Sequence, residues 1–251
     1  MESGLARRTV IVTGASNGIG ARTALAFGRE GAHVVVAYHR NRDGAAKVSE
    51  QVEEVGGTAQ VHPYSLAEEG SADELVSAAV ETTGGVDVVV ANAVRWWGRG
   101  PGGFETLPDG EWEQIVSDNL SGTIRLMRAA APPLRKSEQG RVALISSNLA
   151  LEGLPGAEYY SAAKSGLHGL CKSLSWSMGP HGVLVNTVVP GLTMTDRNKA
   201  NFPEHLKKME EARTPLGRLV TPEDVAATTV YLCSALNTAV TGQLLNVSGG
   251  R

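Results

Sequence analysis

Tyr160 and Lys164 stand four residues apart in Tyr160-Ser-Ala-Ala-Lys164. That spacing puts both on one face of a helix, about 6 Å apart along its axis. A free phenol titrates near ~10 and is a poor acid or base at neutral pH. A neighbouring ammonium favours the phenolate and draws the titration toward the working pH, which gives the pair a purpose in proton transfer. Taken alone, the pattern also describes a solvated surface pair. Ser147 tips the balance, because it follows the apolar run 141–146, where its hydroxyl can reach the carboxyl edge of a sheet. Ser146 and Tyr159 are the neighbours that mimic these two, but only Tyr160 has a lysine at four residues. The six histidines are scattered without metal-ligand spacing, so no catalytic metal is expected.

A second constellation lies near the start of the chain. The run 9–12 leads into Thr13-Gly14-Ala15-Ser16-Asn17-Gly18-Ile19-Gly20, and a helical pattern (Thr23, Leu25, Ala26, Phe27) follows. Glycines there allow a tight turn and let backbone N–H groups approach a pyrophosphate at a helix N-terminus. No Lys-Ser/Thr pair follows them, which disfavours a nucleotide-triphosphate loop. NAD sites usually place an acid at the end of the second strand. Here Tyr38 stands there, followed by His39-Arg40-Asn41-Arg42. With no carboxylate to repel it, a 2′-phosphate meets the planar fork of Arg40, so NADP(H) is expected ahead of NAD(H). The rival reading makes both arginines solvated loop charges.

These groups need a scaffold that brings them to one edge. Apolar runs at 9–12, 33–38, 60–64, 86–91, 141–146, 184–189 and 244–247 alternate with segments of helical period. Mostly apolar strands are those of a parallel sheet covered on both faces. Ser71-Ala-Asp-Glu74 reads as a capping box, and Thr221-Pro222 as an N-cap with proline at the first helical position. Trp112, Ile115, Val116, Leu120, Ile124 and Met127 predict one long amphipathic helix from about Gly110. The result is an α/β chain: a single-domain, doubly wound Rossmann fold over 1–251, its seven-stranded, mostly parallel sheet flanked by helices. The irregular stretches 95–108 and 192–213 follow strands, and the second is expected to be a substrate lid. A chain of 251 residues, 42% apolar, supports one core without staples. Its net charge of −3 argues against nucleic-acid or membrane partners. Cys171 and Cys233 have no paired spacing and read as reduced core thiols, which suits a cytoplasmic protein.

With these motifs the chain resembles the short-chain dehydrogenase/reductase family, in particular its β-ketoacyl (3-oxoacyl) reductase-like branch. The likeness runs from Thr9 to Gly250 and includes Asp118-Asn-Leu-Ser-Gly122, Ile145-Ser-Ser147, Pro190-Gly191 with Thr195, and Thr241-Gly242 with Val247-Ser-Gly-Gly250. The resemblance implies that Tyr160 gives a proton to a carbonyl oxygen that Ser147 orients, while the nicotinamide gives hydride. It further implies that Lys164 tunes the tyrosine and holds the ribose, and that Asn119 anchors a relay water. The dinucleotide would lie on Gly14, Ser16, Asn17, Gly18, Ile19, Gly20, His39, Arg40, Ser65, Leu66, Asn92, Tyr160, Lys164, Pro190, Thr193 and Thr195. Relatives of this kind are homo-oligomers, commonly tetramers. The chain departs from the family at Ala91 and Val94, where Asn and Gly are usual, and at Ser65, where an acid or amide often sits by the adenine.

The expected activity is NADP(H)-dependent reduction of a ketone. The alternatives are a 3-oxoacyl-carrier-protein reductase, an NAD(P)-dependent alcohol dehydrogenase and, from another class, a non-catalytic dinucleotide sensor. An acidic carrier needs a basic surface beside the cleft, yet Glu138 and His181 stand where the branch tends to carry arginines. Trp96 and Trp97 sit in a glycine-rich loop after the fourth strand. Their flat apolar area, together with Ser147 and Tyr160, suits a bulky free ketone.

Overall fold

The computed structural model describes residues 2–96 and 104–251. Seven strands form one sheet: β1 (Thr9–Thr13), β2 (His33–Tyr38), β3 (Thr58–Pro63), β4 (Val88–Ala91), β5 (Arg141–Ile145), β6 (Leu184–Pro190) and β7 (Leu244–Val247). Their order is β3-β2-β1-β4-β5-β6-β7, and every pairing is parallel. The switch between β1 and β4 is where a doubly wound sheet opens a ligand crevice at its carboxyl edge. Strands β1, β2, β4, β5 and β6 are buried almost throughout, whereas the edge strands β3 and β7 are partly exposed.

Alternate strand residues feed two apolar layers, because successive side chains leave a strand on opposite faces. On one face Ile11, Val35 and Val89 pack with Leu126, Leu167 and Cys171, from α5 (Gly122–Lys136) and α7 (Glu158–Met178). On the other, Val10, Val34 and Val88 pack with Phe27 of α1 (Gly18–Arg29) and with Val225 and Cys233 of α10 (Pro222–Cys233). Full burial of a side chain such as Phe27 contributes roughly 1.5–3 kcal/mol. The remaining longer helices are α2 (Arg42–Glu54) and α3 (Ser71–Thr83). Among the described residues no helix is long and apolar enough to cross a membrane.

Local signals fared unevenly. Thr221 caps α10 in a full capping box, its side chain accepting from the Asp224 N–H while Asp224 reaches back to the Thr221 N–H. The box expected at Ser71 does not form. Gly70, with φ +84°, precedes the helix, and the Ser71 hydroxyl accepts instead from the Ser65 N–H at 2.9 Å, tying down the end of β3. The single long helix expected from about Gly110 is interrupted. Helix α4 (Asp109–Val116) passes through a π-turn at Ser117–Ser121 before α5. The extra residue rotates the buried face, so Thr123 and Leu126 point inward while Ile124 is only partly covered. Residues 192–213 are not irregular either: they carry α8 (Asp196–Asn201) and α9 (Glu204–Ala212).

Candidate active site

Tyr160 and Lys164 lie in the first turns of α7, both buried, as the four-residue spacing requires. The Lys164 Nζ donates to the Ile145 carbonyl at the end of β5 at 2.8 Å and stands 5.8 Å from the centre of the Tyr160 ring. Burial lowers the lysine to about 8 and pushes the phenol up to about 12, with a hydrogen bond to Ser147 working against that rise. The lowered phenol expected from the spacing is therefore not the state of the protein alone. Desolvation dominates the phenol, and the same burial disfavours the charge on Lys164.

The two look-alikes are otherwise employed. The Ser146 hydroxyl donates to the Lys164 carbonyl at 3.2 Å and lies 2.8 Å from the His168 Nε2, fastening β5 to α7. The Tyr159 hydroxyl donates to the Phe104 carbonyl, and its ring stacks on Phe104 at 5.0 Å and on Trp112 at 5.3 Å. Ser147 follows β5, within reach of Tyr160, and its oxygen accepts from the Leu149 N–H at 3.2 Å.

Asn119 is fully buried in the π-turn. Its amide donates to the carbonyls of Arg95 at 3.0 Å and Ile115 at 2.9 Å and accepts from the Arg95 N–H at 3.1 Å. Both amide protons are spent, so a relay water can meet only the oxygen atoms of this residue. The Arg95 guanidinium reaches Asp118 at 2.8 Å. This clamp holds the backbone that leads into Trp96, which meets Tyr160 edge-on. Trp97 lies outside the described residues. Sequence reasoning missed the clamp, although its signal was present in the acid directly before Asn119.

The glycine loop turns back on itself with little space to spare. Gly14 has φ +64°, and a Cβ at Gly20 would stand 2.3 Å from the Gly14 carbonyl oxygen. The Asn92 amide donates to the carbonyls of Thr13 at 2.9 Å and Gly14 at 3.2 Å, which fixes the loop against β4 despite the altered neighbours Ala91 and Val94. Asn17 opens α1 in extended backbone without a side-chain cap, leaving the first-turn N–H groups to a ligand. Ser16 and Ile19 are half-buried beside Gly18. This backbone concavity and the buried ammonium, with two protons unspent among the described residues, fit a dinucleotide's phosphates and ribose.

The other site residues lie along the same edge. His39 and Arg40 are exposed beyond β2. Ser65 is buried, and the Leu66 carbonyl accepts from Arg125 at 2.6 Å. Pro190 ends β6, the Thr193 hydroxyl donates to the Gly191 carbonyl, and Thr195 caps α8. Arg251 was not foreseen. Its guanidinium pairs with Glu210 of α9 and with Glu152 of α6 (Leu149–Glu152).

Known proteins share this arrangement. Residues 14–251 match the family described as Enoyl-(Acyl carrier protein) reductase. An L-rhamnose 1-dehydrogenase (NAD(P)(+)) of Azotobacter vinelandii is 40% identical over 97% of this chain and 96% of its own length. The protein of that name from a Sphingomonas strain is 37% identical over 97% and 95%. A 3-oxoacyl-[acyl-carrier-protein] reductase of Chlamydia muridarum is 32% identical over 100% and 99%. Among solved structures, a 7α-hydroxysteroid dehydrogenase complexed with NADH and 7-oxo glycochenodeoxycholic acid superposes with a TM-score of 0.91, at 30% identity over 99% and 96% of the two chains. The chain is thus an oxidoreductase and belongs to the short-chain dehydrogenase/reductase family.

Proposed function

We propose that the protein moves hydride between a nicotinamide dinucleotide, NADP(H) ahead of NAD(H), and the carbonyl carbon of a free, ring-bearing ketone. The observation that carries this reading is a buried Tyr160, its hydroxyl bonded to Ser147 and its ring in edge-to-face contact with the exposed Trp96. When bound, the nicotinamide supplies the hydride. The chain supplies the rest. Ser147 and Tyr160 hold the carbonyl oxygen between two hydroxyls, and Tyr160 delivers its proton as negative charge develops there. Lys164 offers its free protons to the ribose, and Asn119 holds the backbone of Arg95, and so the wall, in place.

The NADP(H) preference rests on Arg40, which is exposed at the end of β2 and forms no ion pair among the described residues. Glu138 and His181 precede β5 and β6 at the amino edge of the sheet, away from this chain's own crevice, and Glu138 pairs with Arg8. The preference for a free over a carrier-bound substrate therefore rests on Trp96 rather than on charge beside the cleft. A tetramer or dimer remains part of this proposal by family likeness.

A second reading is oxidation of a ring hydroxyl on a free sugar. The two rhamnose dehydrogenases favour it, and the apolar face of a sugar ring packs on indole as a cyclic ketone does. Purified protein assayed with NADPH against cyclic ketones, and with NADP+ against aldoses, separates the two. A higher kcat/KM for the ketones supports the first, and the reverse ranking replaces it with the second. Binding without any turnover across both panels defeats both.

A further inference from the structure

Helices α8 and α9 form a wall at the carboxyl edge of the sheet, yet neither contains a buried residue. Apolar anchoring of the span is partial, through half-buried Phe202 and Leu206. Its ends are tied: the Met194 N–H donates to the Val220 carbonyl, and just past α9 Thr214 is buried and the Leu216 N–H donates to the Gly249 carbonyl. Between those ties most of α9's ion pairs are internal, Lys207 with Glu204 and Glu211, and Arg213 with Glu210. Such pairs support a helix but fasten it to nothing else.

The Arg251 guanidinium alone among the described cations leaves its own segment to bridge two elements that flank the cleft. One arm meets Glu210 on α9 and the other meets Glu152 on α6 at 3.2 Å. The three side chains are 22%, 16% and 33% exposed, so solvent screens the pairs only in part. The arginine is itself held, because the Ser248 hydroxyl donates to its carbonyl, and the Leu216 N–H donates to the Gly249 carbonyl beside it. Helix α6 opens two residues after Ser147, and the Leu149 N–H donates to the Ser147 oxygen. Movement of α6 is thereby passed to the serine that faces Tyr160.

We propose that Arg251 is a positioning residue, a strap that fixes the α9 wall to α6 and so sets how substrate is held at the mouth of the cleft. The inference rests on the proposed site for what the strap serves, but the strap itself is testable without turnover. A planar fork reaches two carboxylates at once, whereas a lysine's point charge serves one well, so Arg251→Lys is expected to fall between wild type and Arg251→Ala.

The test uses the full chain with Arg251→Ala, Arg251→Lys and Glu152→Gln. Hydrogen–deuterium exchange over residues 204–212 is the readout independent of activity. Exchange there is expected to accelerate at least severalfold in Arg251→Ala and less in Arg251→Lys, while β1 and β5 remain protected. With a turned-over substrate, KM is expected to rise roughly three- to tenfold with kcat within about twofold. Unchanged exchange over 204–212 in Arg251→Ala overturns the strap, as does a loss confined to kcat. Glu152→Gln separates the arms, since it frees α6 while leaving Glu210 paired, and unaltered KM in that variant removes α6 from the proposal. If wild type turns over nothing, the proposed activity fails while the exchange result still judges the strap.

Discussion

The Trp96 and Tyr160 rings meet edge to face, with centroids 5.4 Å apart and planes crossing at 71°. This places an indole, 52% exposed, against the Tyr160 ring. Trp96→Ala is expected to lower kcat/KM about tenfold for a ring-bearing substrate and less than threefold for a small acyclic one. Comparing specificity constants for the two checks it, and equal losses would show that the indole merely supports Tyr160.

Tyr160→Phe keeps the ring and its contacts but removes the proton. Turnover is expected to fall at least 10²–10⁴-fold, the usual worth of a positioned acid. Dinucleotide affinity, read from tryptophan fluorescence, should stay within about threefold, because no more than one hydroxyl is lost from the binding surface. Near-normal rates would remove Tyr160 from the chemistry.

Burial of Lys164 makes stability depend on pH in a specific window. The folded chain holds the group near about 8 against an ordinary 10.5, so between those values the unfolded chain binds more protons. Stability then rises with pH from 8 to 10.5, and the full penalty of a buried ammonium applies below 8. Tyr160 acts in the opposite direction and later, since a value of about 12 against 10.0 makes its contribution fall above pH 10. Cys233, at about 12 against 9.0, opposes the rise from pH 9 upward. Urea midpoints at pH 7, 8 and 9, without dinucleotide, should therefore climb in wild type and climb less in Lys164→Met. Parallel profiles would contradict the assignment.

Arg40→Asp replaces a phosphate-seeking fork with a carboxylate suited to ribose hydroxyls. A charge-assisted contact of about 1.5–3 kcal/mol converts to a ten- to hundredfold loss for NADPH, with NADH unchanged or improved. Titrating both dinucleotides into both proteins decides it. Tighter NADH binding by wild type would make the arginine a bystander.

How far the sequence could be read follows from the range of the forces involved. Strand runs, the glycine loop, the Tyr160–Lys164 spacing and the Thr221 cap depend on neighbours in the chain, and all could be placed beforehand. Ser71 misled because its hydroxyl had a better partner in Ser65, a turn away in space. The π-turn was invisible because Ile115 to Met127 keep a helical period on both sides of one added residue. The raised phenol depends on how much water α7 and β5 exclude, which spacing does not record. Arg251 pairs with residues 41 and 99 positions away, beyond any local pattern.

The two cysteines are divided between the faces of the sheet, Cys171 in the layer with α5 and α7, Cys233 in the layer with α1 and α10. Both thiols are buried and held above their ordinary range, Cys233 at about 12. Since the thiolate is the form that reacts, alkylation must wait for each layer to open. Following the two modifications separately by mass spectrometry therefore gives the chain a built-in pair of clocks, one timing the release of each helical layer from the strands. If the layers come away together the clocks agree, and if one peels first its cysteine is labelled while the other is still silent.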